Sequence, residues 1–236
     1  MNVKSRPSFG TYGVWLVAIA LAVFWTAPPS ASTSAPQKGA NKTVFAAVLD
    51  ADGNPVTGMT KEEWGVREDG ADRAIVDIKP ATQPLDIVLM VDITKFIYPS
   101  IQELRSALKT FTHTVLAGNP GANIAVMNVP ASAVIVADNK KSVEDLDKTL
   151  SRTFADQTQS TVFLEGMVEA AKKLAKSATP RRAIVIVNLE GIPENSSLPP
   201  NNVISQIVQS GASMWAVSYT NEASNKLVVT GGAGSA

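Results

Sequence analysis

Short apolar runs alternate with amphipathic segments from residue 85 onwards, and this alternation restricts the fold more than any other feature of the sequence. The runs at 86–91 (DIVLMV) and 183–187 (AIVIV) are almost wholly apolar, which is typical of strands buried on both faces of a parallel sheet. Three more strands are predicted, at residues 123–129, 133–136 and 213–219. The first two of these are expected to form a hairpin through Pro130.

Four helices are predicted between these strands, at residues 100–116, 142–150, 161–176 and 202–209. The first carries apolar residues three and four positions apart, which gives a helix with one apolar stripe; these are Ile101, Leu104, Leu108, Phe111 and Val115. Strand and helix alternate at the spacing of crossover units. The sequence therefore predicts an α/β fold, a doubly wound and mostly parallel sheet with helices on both faces, over residues 85–236.

A small β-rich unit is predicted before this domain, at residues 43–80. It would begin with a strand at 43–49 and a turn at 50–55, followed by a short helical turn that Thr60 and Glu63 cap. Two further strands, at 65–68 and 74–78, would flank a turn at 69–72. A unit of about 40 residues is near the lower limit of independent stability, so we expect it to pack against the larger domain.

The first 35 residues have the features of a secretion signal. Lys4 and Arg6 precede an uncharged apolar run at 13–25, and small residues follow at 26–35. This run is shorter than the roughly 20 residues that a membrane-spanning helix needs. We therefore expect a cleaved signal peptide at 1–35, a linker at 36–42, and an exported protein, periplasmic or secreted, without a stable membrane span after cleavage. The alternative is an uncleaved N-terminal anchor.

The composition argues against several classes of function. The formal net charge is zero, whereas a nucleic-acid-binding protein usually shows a basic patch. The sequence has no cysteine and one histidine, His113, so thiolate and histidine metal clusters are excluded. It also lacks the nucleophile elbow, phosphate loop and dinucleotide fingerprint of common α/β enzymes. A non-enzymatic protein is expected, and a hydrolase using Ser100 or Ser160 is the less favoured alternative.

Polar residues follow the predicted buried strands at three places, 92–96 (DITKF), 160–161 (ST) and 188–191 (NLEG). Ligands of open α/β sheets bind beyond the carboxyl ends of the strands, so these residues are candidates for a binding site. Each also has a plain structural interpretation. Asp92 could cap a loop, Thr94 and Thr161 could be helix N-caps, and Glu190 could be a solvated carboxylate.

Taken in chain order, these residues resemble the metal-ion-dependent adhesion site of a von Willebrand factor type A (VWFA) domain. The family motif is Asp-x-Ser-x-Ser after the first strand, a lone Thr from a later loop, and an Asp after the fourth strand. Asp92 and Thr161 match it, Thr94 conservatively replaces the first Ser, and Glu190 stands where the Asp should be. Phe96 stands where the second Ser should be, which makes the site degenerate.

The segment at 48–70 strengthens the resemblance, because it looks like the segment before the VWFA domain in a group of exported bacterial proteins. That group reads approximately Asp-x-x-Gly-x-Pro-Val-x-Gly-Leu-Thr, then an acidic and an aromatic residue, then Val-x-Glu-Asp-Gly. In this sequence the corresponding residues run from Asp50 through Gly53, Pro55 and Trp64 to Gly70.

The resemblance implies a VWFA/Rossmann-like fold and a protein-interaction or adhesion module. It further implies that Asp92, Thr94, Thr161 and Glu190 hold Mg²⁺, which binds an acidic side chain of a protein partner. Mg²⁺ prefers about six oxygen ligands at roughly 2.1 Å. The alternative is a structural VWFA-like scaffold with a dead metal site. Since a doubly wound domain usually adds a further helix, the small residues at 231–236 also suggest a truncated C-terminus.

Overall fold

The computed structural model of this chain describes residues 41–231. The predicted signal peptide at 1–35, most of the predicted linker and the last five residues lie outside this range. Within it, none of the helices combines the length and hydrophobicity that crossing a bilayer requires.

Seven strands and five α-helices make up the described part of the chain. The strands are β1 (Val66–Glu68), β2 (Ala71–Arg73), β3 (Leu85–Val91), β4 (Asn123–Asn128), β5 (Val134–Lys140), β6 (Arg181–Leu189) and β7 (Ser213–Tyr219). The α-helices are α1 (Ile101–Gly118), α2 (Val143–Leu150), α3 (Phe163–Ala175), α4 (Pro200–Ser210) and α5 (Glu222–Gly231). Two 3₁₀-helices lie at Lys61–Glu63 and Lys95–Ser100.

The larger sheet has the order β5-β4-β3-β6-β7. Strand β3 pairs in parallel with both β4 and β6, β7 pairs in parallel with β6, and β5 pairs antiparallel with β4. The predicted hairpin through Pro130 is therefore confirmed, as is the mostly parallel sheet. The two runs that are apolar in the sequence, β3 and β6, lie side by side in the middle.

Helices cover both faces of this sheet, as the sequence predicts. On one face, Leu104 and Leu108 of α1 and Leu146 and Leu150 of α2 pack in a cluster with the side chains of alternate strand residues. On the other face, α3 packs against a second cluster that contains Val88. Because side chains alternate along a strand, β3 contributes to both clusters and is almost completely buried.

The strand predicted at 43–49 is absent, and this prediction was wrong. Among the described residues this segment makes only an isolated bridge between Leu49 and Pro55, and Val44 and Phe45 are exposed. A β-rich composition does not form a strand unless a neighbouring strand supplies hydrogen bonds. The turn at 50–55 is confirmed, since Asp50 Oδ1 accepts hydrogen bonds from the backbone of Asp52 and Asn54.

The hairpin at 66–73 is tighter than the sequence analysis predicted. The loop consists of Asp69 and Gly70 alone, with φ angles of 52° and 77°, so β2 begins directly at Ala71 and ends at Arg73. The strand predicted at 74–78 was wrong, because those residues form no strand. Two consecutive positive φ angles are typical of a hairpin turn whose twist matches that of the strands. The helical turn before β1 is confirmed, because Glu63 accepts hydrogen bonds from the N–H and hydroxyl of Thr60.

Helix α3 begins two residues later than predicted. Thr161 is extended and forms a parallel bridge with Glu194, so the helix starts only at Phe163. Helix α5, for which the sequence analysis gave no residues, follows β7. Asn221 and Ser224 cap it through reciprocal hydrogen bonds. The division of the chain near residue 80 into two units stays a prediction.

Candidate functional site

The candidate site is built on the loops beyond the carboxyl ends of β3 and β6. Asp92 directly follows β3, and its N–H donates to Val187 O of β6 at 2.9 Å. Two further backbone bonds join this loop to the segment before α3. Lys95 N donates to Thr158 O at 3.0 Å, and Asp156 N donates to Ile93 O at 2.6 Å. The parallel arrangement thus brings loops distant in the sequence to one edge of the sheet.

Asp92 is a buried carboxylate, with 1% of the residue exposed. Its Oδ1 accepts from Thr94 N at 2.7 Å, and its Oδ2 accepts from Leu189 N at 3.3 Å. No basic side chain within residues 41–231 forms an ion pair with it. Burial raises the pKa of Asp92, and the hydrogen bonds from Thr94 and Leu189 offset this only in part. A cation beside it would relieve the cost of burying the charge.

Thr94 presents a buried hydroxyl with unused hydrogen-bonding capacity. The residue is completely buried. Its Oγ1 lies close enough to the Asp92 carboxylate to help lower the pKa of that group, but it makes no well-aligned hydrogen bond to any residue in the described part of the chain. Thr94 stands at the N-cap of the 3₁₀-helix Lys95–Ser100, but its side chain makes no capping bond. Capping therefore does not account for this hydroxyl. Unpaired buried polar groups are rare, and one beside a buried carboxylate is consistent with an oxygen ligand.

Tyr219 is a nearby residue that the sequence analysis missed. It ends β7, and its buried hydroxyl makes no well-aligned hydrogen bond within the described residues. Burial raises the pKa of Tyr219 to about 12, the negative charge of Asp92 raises it further, and an interaction with the Ser100 side chain offsets this only in part. Tyr219 O also accepts from Glu190 N at 2.9 Å, which fixes the end of β7 beside the loop after β6.

Thr161 is buried and is held by the loop that follows β6. Its Oγ1 donates to Glu194 Oε2 at 2.9 Å. Its N–H donates to Pro193 O at 3.0 Å, and its carbonyl accepts from Asn195 N at 2.8 Å. The N-cap interpretation does not apply, because α3 begins at Phe163 with Val162 as its N-cap. Glu194 is a second residue that the sequence analysis missed, although it is an acidic residue in the same loop as Glu190.

Glu190, the fourth predicted ligand, differs from the other three in its surroundings. Asp92, Thr94 and Thr161 are buried, whereas Glu190 is exposed. The backbone N–H of Glu190 donates to Tyr219 O, and this bond fixes the position of its backbone. Its part in a metal site stays a prediction.

Phe96 is the residue that departs from the family motif, and part of its ring contacts the core. It packs against the apolar cluster under α1 and α2. The Nζ atom of Lys95 lies 5.1 Å from the centre of the ring, and Phe96 O accepts from Asn221 Nδ2 at 2.9 Å. The position that supplies a hydroxyl in the family motif therefore serves packing in this chain.

The oxygen atoms at this edge are suited to a hard divalent cation. Asp92 supplies a carboxylate, and Thr94 and Thr161 supply hydroxyl oxygens, which are the ligand types that Mg²⁺ prefers. No group of three or more His, Cys, Asp or Glu residues that could hold a metal occurs within the described range. A cation bound here would therefore keep most of its positive charge.

No protein-family model matches the chain, and no curated protein matches it. Several solved structures resemble it. The vWF domain of the type V pili tip protein Mfa5 from Porphyromonas gingivalis is 16% identical with a TM-score of 0.42, covering 46% of this chain and 38% of that one. A von Willebrand factor type A structure from Catenulispora acidiphila is 14% identical with a TM-score of 0.44, covering 61% and 36%.

A third structure comes from the mussel byssus. Proximal thread matrix protein 1 with a zinc-occupied MIDAS motif is 13% identical with a TM-score of 0.47, covering 62% of this chain and 46% of that one. The chain thus spans less than half the length of each of these three proteins. Von Willebrand factor domains are among the structures that this chain resembles, and they form the class that its sequence motifs indicate.

Proposed function

We propose that this chain is an exported, non-enzymatic protein-interaction module of the VWFA type. Its binding surface is the set of loops beyond β3 and β6, where a divalent cation joins it to an acidic side chain of a protein partner. The observation that carries this proposal is the buried Asp92 carboxylate, which lacks a basic partner within residues 41–231 and lies next to the Thr94 hydroxyl, which makes no well-aligned hydrogen bond there.

In this proposal Asp92, Thr94 and Thr161 hold the cation, and Glu190 contributes through water. The bound ion supplies a site for an anionic oxygen of the partner. One protein carboxylate leaves a divalent ion with excess positive charge, which favours a partner carboxylate. Phe96 supplies no oxygen, so water would take the place of the missing hydroxyl.

The surroundings of the candidate catalytic residues support a non-enzymatic module. His113 on α1 is half-buried, and its Nε2 lies 2.8 Å from Asp147 Oδ1 of α2. This contact therefore connects α1 to α2. Ser100 Oγ donates to Ile97 O and accepts from Asn221 Nδ2. Within the described range, neither of these partners is a base that could activate the serine as a nucleophile.

Titration calorimetry with Mg²⁺ and Mn²⁺ tests the metal site. The wild type should bind with measurable heat, and Asp92→Asn should abolish binding because it removes the only carboxylate in direct contact with the ion. Asp86→Asn is the matched control. Asp86 lies at the other end of β3, where it accepts hydrogen bonds from Asn123 and Ser177, so this variant should bind like the wild type.

Absence of heat from the wild type at millimolar ion would overturn the metal site. The scaffold alternative has one observation in its favour, the packing of Phe96 against the core. Under that alternative, partner binding would be unaffected by a chelator and by Asp92→Asn.

A further inference from the structure

Glu194 connects the loop after β6 to the segment that precedes α3. Its Oε2 accepts from Thr161 Oγ1 at 2.9 Å and from Phe163 N at 3.1 Å. Its Oε1 accepts from Ser196 N at 3.1 Å and from the Ser196 hydroxyl. Both carboxylate oxygens are therefore used, and the side chain is fixed in one orientation.

The direction of the bond to Thr161 determines what the hydroxyl can still do. An ionised carboxylate only accepts hydrogen bonds, so the hydroxyl proton of Thr161 must point towards Glu194. The two lone pairs of Oγ1 then remain for a cation. A hydrogen bond to a carboxylate also makes the ligand oxygen more basic, and such supporting residues affect metal affinity strongly.

Glu190 and Glu194 are the two acidic residues of the loop that follows β6, and the structure distinguishes them. The sequence resemblance assigns the carboxylate of the site to Glu190, and both glutamates are exposed. Glu194, four positions later, contacts the predicted ligand Thr161 directly.

We propose that Glu194, rather than Glu190, is the acidic residue on which the cation site depends, as a positioning residue for Thr161. This inference rests on the proposed metal-binding function. Glu194 holds the Thr161 hydroxyl with its lone pairs available and adds negative charge behind the ligand. It does not itself touch the ion.

Calorimetric titration of the full mature chain with Mn²⁺ tests the proposal, using three single variants. Glu194→Gln keeps an acceptor but loses the charge, and affinity should fall at least tenfold, the lower end of the range for supporting residues of metal sites. Glu190→Gln should stay within about twofold of the wild type, since the charge of this exposed side chain is screened by solvent and salt. Glu165→Gln is the structural control, because Glu165 accepts from Ser197 N and Oγ of the same loop and makes no bond to Thr161.

A double-mutant cycle separates positioning from folding. Thr161→Val removes the hydroxyl, so adding Glu194→Gln should cause much less further loss of affinity than it does alone. Circular dichroism of the metal-free variants checks that each is folded. Equal affinity of Glu194→Gln and the wild type would overturn the inference, and so would an equal loss in Glu165→Gln or a larger loss in Glu190→Gln. A wild type that binds no Mn²⁺ would instead overturn the metal site, and the role of Glu194 with it.

Discussion

Several residues in the loops at the carboxyl ends of the strands bury polar groups, and this lowers the free energy of unfolding. Asp92 is ionisable and buried, and Thr94 and Tyr219 each bury a hydroxyl that makes no well-aligned hydrogen bond in the described part of the protein. A buried polar group without a hydrogen bond costs about 1–3 kcal/mol. Such groups are expected at binding sites, where a ligand supplies the missing interaction.

Burial of the Thr94 hydroxyl leads to a prediction in which the free energy of unfolding and the affinity for Mn²⁺ change in opposite directions. Thr94→Val replaces the unpaired hydroxyl with a methyl group of similar size, so the metal-free protein should gain about 1 kcal/mol in the free energy of unfolding. The same change should weaken Mn²⁺ binding, because one oxygen ligand is lost. Urea unfolding measures the first effect and calorimetry the second.

Thr112→Val provides the control for this prediction. Thr112 is as buried as Thr94, but its Oγ1 donates to Lys109 O at 3.0 Å. Its replacement should therefore not stabilise the protein and should leave Mn²⁺ affinity unchanged. If Thr94→Val destabilised the metal-free protein, the hydroxyl would have a partner and would not be an open ligand.

At the scale of elements, the close approach of α3 to the sheet depends on a glycine. A Cβ atom at Gly166 would lie 2.6 Å from Met90 Cε, 3.4 Å from Ala133 Cβ and 3.5 Å from Met127 Sδ. Because α3 starts shortly after Thr161, its distance from the sheet also affects the loop that carries this predicted ligand.

Gly166→Ala should therefore destabilise the protein by about 1–2 kcal/mol, since overpacking outweighs the gain in helix propensity. The flexible side chain of Met90 limits the loss but cannot remove it, because that residue is fully buried. Gly118→Ala, at the end of α1, is the control, since a Cβ there meets no atom within 4 Å. Chemical denaturation should show a loss for the first variant only. Equal effects of the two would indicate that α3 has room to shift.

At the scale of the whole molecule, the free energy of unfolding should depend on pH, because the pKa values of Glu165 and Asp92 are shifted in opposite directions. Burial alone would raise the pKa of Glu165, but hydrogen bonds from Ser196 and Ser197 outweigh it and lower the pKa to about 2. Its ordinary value is 4.5. The contribution of Glu165 is therefore fully present above about pH 4.5 and is lost as the pH falls towards 2. Asp92 has a raised pKa and acts in the opposite direction.

Glu165→Gln should lower the free energy of unfolding at pH 7, and the difference from the wild type should shrink as the pH falls below about 4.5. Urea unfolding of both proteins at pH 7 and at about pH 3 measures this. Glu169→Gln, at an exposed residue one turn later that pairs with Lys172, should show little difference at either pH. A constant difference between Glu165→Gln and the wild type would show that the bond to Ser197 does not depend on charge.

The order of strands and helices along the chain could be predicted because apolar pattern and length distinguish strands from helices. Strand β7 was predicted with its observed bounds, and the helix predicted at 142–150 is observed as α2, with Ser142 as its N-cap, where its Oγ accepts from Asp145 N. The segment 43–49 could not be assigned in this way, because its composition favours a strand but does not show whether a partner strand is available. The late start of α3 was missed for a related reason, since the bridge from Thr161 to Glu194 joins residues far apart in the chain.

Local patterns of side chains were enough to predict the α/β class, the central strands buried on both faces, and the polar residues in the loops at their carboxyl ends. The tertiary structure decided which of those residues are buried and what each one contacts. It showed that Glu194 contacts Thr161 directly. It also left the Thr94 hydroxyl without a well-aligned hydrogen bond in the described range, and it brought Tyr219 within electrostatic range of Asp92. Burial and hydrogen bonding depend on residues that are distant along the chain, so local pattern alone cannot determine them.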